Sequence, residues 1–225
     1  MKKVIATTMA AFLVAQVASA ISASVDIASA YVFRGTTFND GLVIQPGVEG
    51  EVAGLTVGAW ANVDINDVGG DDQVSEIDLY IGKDLGSVAG WDVSAGYCEY
   101  TYPGAAGNGE SELSLSASGA LAGIDISVGA YANVAETATP NYYEVSTGGS
   151  TALAGIALDY GIASGYFVDA DADEDLALET GLGYVAYSVS YDTGGGSLSA
   201  TYIDNLDTDL VVDGESVIFA YGISL

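Results

Sequence analysis

The sequence predicts an all-β chain, a transmembrane up-and-down antiparallel β-barrel of about 12 strands. Three observations predict it. Beyond residue 20, apolar and polar residues alternate with period two along nearly every segment, the pattern of strands that separate two environments. Short turns alternate with longer polar loops, the connectivity of a meander with turns at one end and loops at the other. The face opposite the apolar one is rich in Gly, Ser, Asp, Glu and Tyr, which suits a wet lumen better than the dry core of a sandwich.

Composition excludes other classes. The chain has 225 residues, 31 Asp+Glu against 4 Lys+Arg and a formal charge of -27 at pH 7, so a nucleic-acid partner would be repelled. There is no His and one Cys, which removes His-based triads, His-ligated metals, intramolecular disulfides and Cys-rich zinc sites. Half of the residues are hydrophobic, which argues for a folded chain despite the charge. No cofactor, no metal and no enzyme activity are expected.

The N-terminus reads as a secretory signal peptide. Met1-Lys2-Lys3 supplies the positive region, Val4 to Val17 the apolar one and Ala18-Ser19-Ala20 the cleavage site. Residues 1–20 are therefore expected to be removed and residues 21–225 to form the barrel in the bacterial outer membrane. Only Arg34 and Lys83 then remain as bases. The longest later stretch without charge, Val145 to Leu158, is broken by Thr147-Gly148-Gly149-Ser150 and cannot span a bilayer as a helix.

Along the chain, Val25, Ile27, Tyr31 and Phe33 share the first outward face, opposite Ser24, Asp26, Ala28 and Arg34. Leu55, Val57, Ala59, Ala61 and Val63 oppose Thr56, Gly58, Trp60, Asn62 and Asp64. Ile77, Leu79 and Ile81 oppose Glu76, Asp78 and Tyr80. Ile124, Ile126, Val128, Ala130 and Ala132 oppose Asp125, Ser127, Gly129, Tyr131 and Asn133. Short connections are expected at Ala53-Gly54, Asp84 to Gly90, Ala120 to Gly123 and Leu153 to Gly155. Nine strands reach Phe167, a tenth starts at Asp175, an eleventh covers Ser197 to Asp204 and a last one Glu215 to Leu225. Between Leu176 and Tyr191 the apolar phase switches after Tyr184, which predicts one long strand with a bulge. Pro46 should sit at a bulge or near the strand's outer end. Tyr31 and Phe33 at one end, and Trp91 at the other, are expected in the two aromatic girdles.

The terminal strand alternates to its last residue. Phe219, Tyr221, Ile223 and Leu225 resemble the C-terminal signal read by the barrel-assembly machinery, which becomes an expected partner beside outer-membrane lipid.

Several segments also carry a family likeness. Ala30-Tyr31-Val32-Phe33-Arg34-Gly35, Gln45-Pro46-Gly47, Gly58-Ala59-Trp60-Ala61-Asn62-Val63-Asp64, Glu76-Ile77-Asp78-Leu79-Tyr80, Tyr100-Thr101-Tyr102-Pro103-Gly104 and Ser197 to Asp204 resemble the TorF-like porins, bacterial outer-membrane proteins of undefined substrate. The resemblance implies a channel and no catalytic assignment.

Asp26, Glu49, Glu51, Asp64, Glu76, Asp78, Asp125 and Glu179 fall on the polar phase of their strands, opposed there by Arg34 alone. They are expected to line a pore for small solutes that prefers cations. Arg34 itself should point inward and find an ion-pair partner. Asp169, Asp171 and Asp173 open with the spacing of a calcium loop, but Glu174 and Thr180 stand where Gly and Glu belong, so a solvated acidic loop is expected. Cys98 should line the lumen as an inert small residue. The alternatives are a non-conducting surface barrel, adhesin or envelope structural protein, and a secreted carbohydrate-binding sandwich. Solute identity and oligomeric state stay open.

Overall fold

The computed structural model describes residues 21–66, 73–103, 109–134, 141–168, 180–207, 210–211 and 214–225. The strands are β1 (Ser22–Ala28), β2 (Tyr31–Phe33), β3 (Thr36–Asn39), β4 (Val43–Val52), β5 (Leu55–Asp64), β6 (Val74–Val88) and β7 (Trp91–Thr101). They continue as β8 (Glu110–Leu121), β9 (Ile124–Asn133), β10 (Asn141–Leu153), β11 (Ile156–Val168), β12 (Gly181–Asp192), β13 (Ser197–Asn205) and β14 (Ser216–Ser224). Twelve of them close an antiparallel barrel in which β1 pairs with β14 on one side and β4 on the other; β2 and β3 form a separate hairpin. Closure leaves no bare strand edge, the condition for β structure in lipid.

Alternation decides which way each side chain faces. Leu79, Leu113, Leu115, Val128, Val145, Ile162, Val189 and Phe219 are each 41–59% exposed; one such residue is ordinary in any protein, but a belt of them all round the outer wall is the surface a barrel presents to lipid. Their strand neighbours turn inward: Ser94 and Ser116 hydroxyls meet at 2.7 Å across β7 and β8, and Asp26 lies against Gly222.

Turns and loops segregate by end. Ala53-Gly54, Ala89-Gly90, Ala122-Gly123 and Ala154-Gly155 have positive φ at both positions, the type I′ geometry whose twist matches two paired strands. The expected turn from Asp84 to Gly90 is shorter than the composition suggested. β6 runs on to Val88 because the ladder absorbs Leu85 as an extra residue between Asp84 and Gly86.

Two further expectations are corrected, and a third is resolved between its alternatives. Tyr31 and Phe33 are not in a girdle: β1 ends at Ala28, and the chain turns into the lumen, where Tyr31 is buried. Tyr143 and Tyr166 stand on the outer surface toward the long loops instead, with Tyr191 outward at the short-turn end. Trp91 opens β7 beside the Ala89-Gly90 turn, its ring over Gly119. In β12 the extra residue is Gly183, because Gly165 pairs with Tyr184 and Tyr166 with Leu182; Tyr184 is consequently buried inside rather than sharing the outward face of Leu182. Of the two places expected for Pro46, it takes the second: it makes no bulge and lies near the outer, long-loop end of β4, three residues after Val43. Its pairing with β5 lapses at Gln45 and Pro46 and resumes in unchanged register, so its missing N–H disturbs the ladder only locally.

Candidate functional site

The hairpin of β2 and β3 is inserted between Ala28 and Val43, which are themselves paired partners of β1 and β4. It folds into the lumen rather than out of the barrel. Its root is held by buried amides: Asn39 Nδ2 donates to Asp64 at 2.9 Å, Asn62 Nδ2 donates to Asn39 at 2.6 Å and to Ser75 at 2.8 Å, and Gln45 donates to Asn62 at 3.1 Å. Asn62 and Gln45 are almost fully buried, where hydrogen bonds left unmade would be costly. Tyr31, one strand over, packs on Trp60 with centroids 5.4 Å apart and donates its hydroxyl to Glu76.

The tip is Arg34-Gly35, both with positive φ. It reaches the far wall. Arg34 donates from both terminal nitrogens to Glu112, at 2.7 and 2.8 Å, the paired geometry that makes arginine–carboxylate contacts strong. Tyr100 adds a third bond to the same carboxylate at 3.2 Å. The guanidinium sits 4.1 Å from the Tyr142 ring centroid, 4.7 Å from Phe33 and 4.8 Å from Tyr131, so aromatic faces replace the water it gives up. The Gly35 carbonyl accepts from Asn205 Nδ2 at 3.0 Å.

β8, β9 and β10, which supply Glu112, Tyr131 and Tyr142, stand opposite β1 in the ring, β9 being the sixth strand from β1 in either direction. The hairpin therefore crosses the full width of the bore. An apolar cluster seals its flanks: Val32 joins Ala28, Val43, Tyr142, Phe167, Tyr184, Ala186, Ile203, Val211 and Ile218. All lie toward the long-loop ends of their strands. Toward the short turns the inner face carries Ser94, Gly96, Ser116, Ser127 and Gly129, side chains too small to fill a twelve-stranded bore.

The other predicted residues distribute unevenly. Asp64 and Glu76 bind the hairpin, and Asp78 lies within hydrogen-bonding reach of Glu76. Glu49 accepts from Tyr80 across the inner wall at 3.3 Å, and Asp26 faces the bore beside Gly222. Glu51 and Asp125 are exposed at the short-turn rim, away from the hairpin. Glu179 and the acidic segment Asp169 to Asp175 lie outside the described residues. Cys98 is partly buried. Phe219 of β14 and Leu225, just past that strand, are exposed, and the Leu225 amide donates to the Ala23 carbonyl at 2.8 Å. Two inward carboxylates around the hairpin tip, Glu112 and Glu144, were not singled out. Glu112 shares the phase of Ser114 and Ser116 against Leu113 and Leu115, and Glu144, bonded by Tyr142 at 2.8 Å, opposes Tyr143 and Val145; the alternation that found the other acids contains both.

Among solved structures the chain is similar to a KdgM porin (TM-score 0.55, 9% identity, covering 90% of this chain and 97% of that one). It is similar too to a KdgM porin in complex with disordered oligogalacturonate (TM-score 0.50, 8% identity, 91% and 96% covered). At such identities the likeness establishes the fold alone, a closed antiparallel β-barrel of the kind those porins have. No curated protein matches the sequence. Residues 14–205 match the family described as "Bacterial protein of unknown function (Gcw_chp)", and with most of its length matched the chain belongs to that family.

Proposed function

We propose that the chain resides in the outer membrane and passes small solutes through its lumen, with a preference for cations. The observation that carries this reading is the charge of the inner wall. Asp26, Glu49 and Glu144 face the bore with the Glu76–Asp78 pair, two carboxyls that share a proton and count as one charge, Glu51 and Asp125 lie at its short-turn rim, and its inward base, Arg34, is already neutralised by Glu112. Carboxylates in a low-dielectric wall concentrate cations and repel anions. The KdgM porin crystallised with oligogalacturonate handles a polyanion; the acidic wall here points to neutral or cationic solutes instead. The resemblance to TorF-like porins, the leader expected at residues 1–20 and the assembly signal of Phe219, Tyr221, Ile223 and Leu225 accord with export and insertion.

The test is a planar bilayer under a KCl gradient. The reversal potential should take the sign of cation selectivity and shrink as salt screens the wall. Anion selectivity would overturn the charge argument. The hairpin across the bore favours a second reading, a non-conducting surface barrel, which a persistent lack of current would select.

A further inference from the structure

We propose that the β2–β3 hairpin is the gate of this barrel and that the Arg34–Glu112 pair is its latch; the proposal rests on the channel reading above. Four observations carry it. The hairpin is an insertion rather than a wall element, because Ala28 and Val43 already pair at its root and the barrel closes without it. It spans the bore from β1 to the opposite strands, so transport past this level requires its displacement. Its two ends are held differently: the root by a network of several amides, Gln45, Asn62 and Asn39, ending on Asp64, the tip by a single guanidinium whose ion pair with Glu112 is enclosed by aromatic rings, with the Asn205–Gly35 bond beside it. Arg34 Nε, though buried, has no hydrogen-bond partner among the described residues, so the tip hangs on the Glu112 carboxylate, whereas the root is shared among several groups.

An ion pair in a low-dielectric site holds while both charges are present and turns into a liability when one is removed. Loss of the Glu112 charge therefore frees the tip while the root stays anchored, and the hairpin swings on the root toward the long-loop end. The chain supplies its own reporter of that motion. Beyond the leader, trypsin has only Arg34 and Lys83 to cut after. Lys83 is fixed in the β6–β7 ladder, whereas the Arg34–Gly35 bond becomes accessible only when the tip leaves the bore.

Three proteins test this in detergent and in planar bilayers: the native barrel, Glu112→Gln, and a variant with residues 29–42 replaced by a short Gly-Ser linker. The native barrel is expected to open briefly and to resist cleavage at Arg34. Glu112→Gln should raise both open fraction and cleavage rate by at least about tenfold, and the excised barrel should conduct steadily. Equal cleavage and equal open fraction in native and Glu112→Gln would overturn the latch. Equal conductance in native and excised barrels would overturn the gate and leave the channel reading standing. No current from the excised barrel would overturn the channel reading, and the gate with it. Should the excised barrel fail to fold, the paired trypsin and conductance comparison of native and Glu112→Gln decides alone.

Discussion

A β-carbon placed on Gly35 would lie 2.8 Å from Cδ1 of Tyr184 and 2.9 Å from a methyl of Val211, at a backbone φ of +86°. The hairpin tip thus fits against β12 and Val211 only as glycine. Gly35→Ala combines left-handed strain with two close contacts, and should lower stability by about 1–3 kcal/mol. Urea unfolding of refolded protein measures this, with circular dichroism showing unchanged strand content.

The outward and inward phases of β9 can be separated by one residue. Val128 is 42% exposed in the middle of the strand, and Val128→Arg should cost about 2–4 kcal/mol if it lies near the bilayer midplane. Ser127→Arg, on the inner phase, should fold and keep the gel shift between unboiled and boiled samples. Equal losses at the two sites would mean that the faces are misassigned.

Asn62 serves Gln45, Asn39 and Ser75 at once. Asn62→Ala leaves buried amide groups without partners and should destabilise the protein by about 1–3 kcal/mol. Because Asn39 belongs to the same network, the double variant with Asn39→Ala should lose less than the two single losses combined. Strict additivity in that cycle would show that the amides act independently.

Deleting Gly183 should be tolerated. The residue is the extra one in the β11–β12 ladder, and without it Leu182 still faces out and Tyr184 in. The loss is confined to its carbonyl, which accepts from the amides of Leu206 and Asp207, about 1–2 kcal/mol. Deleting Ser188, which sits in regular register, instead reverses every side chain on one side of the cut and should abolish folding. Recovery of gel-shifted barrel from refolding trials distinguishes the two.

The barrel was legible because alternation is a local signal repeated along each strand, and the total of twelve wall strands follows from it. The hairpin was not. Tyr31 and Phe33 continue the phase of Val25 and Ile27, so periodicity alone extends β1 through them; only contacts with Trp60, Tyr100 and Glu112, far along the chain, show that the strand has already ended. Arg34 was read as inward, but its partner was out of reach, since a phase says which wall a carboxylate occupies and not what crosses the lumen to meet it. The bulge in β12 was misplaced because tyrosine suits either face, and Tyr184 reads equally well beside Leu182 or inside.

The seam between β1 and β14 joins the first and last strands. β14 is the strand that closes on β1, so the cylinder stays open until β14 is in place. Until then two strands carry bare hydrogen-bonding edges, each a template for pairing with a stranger.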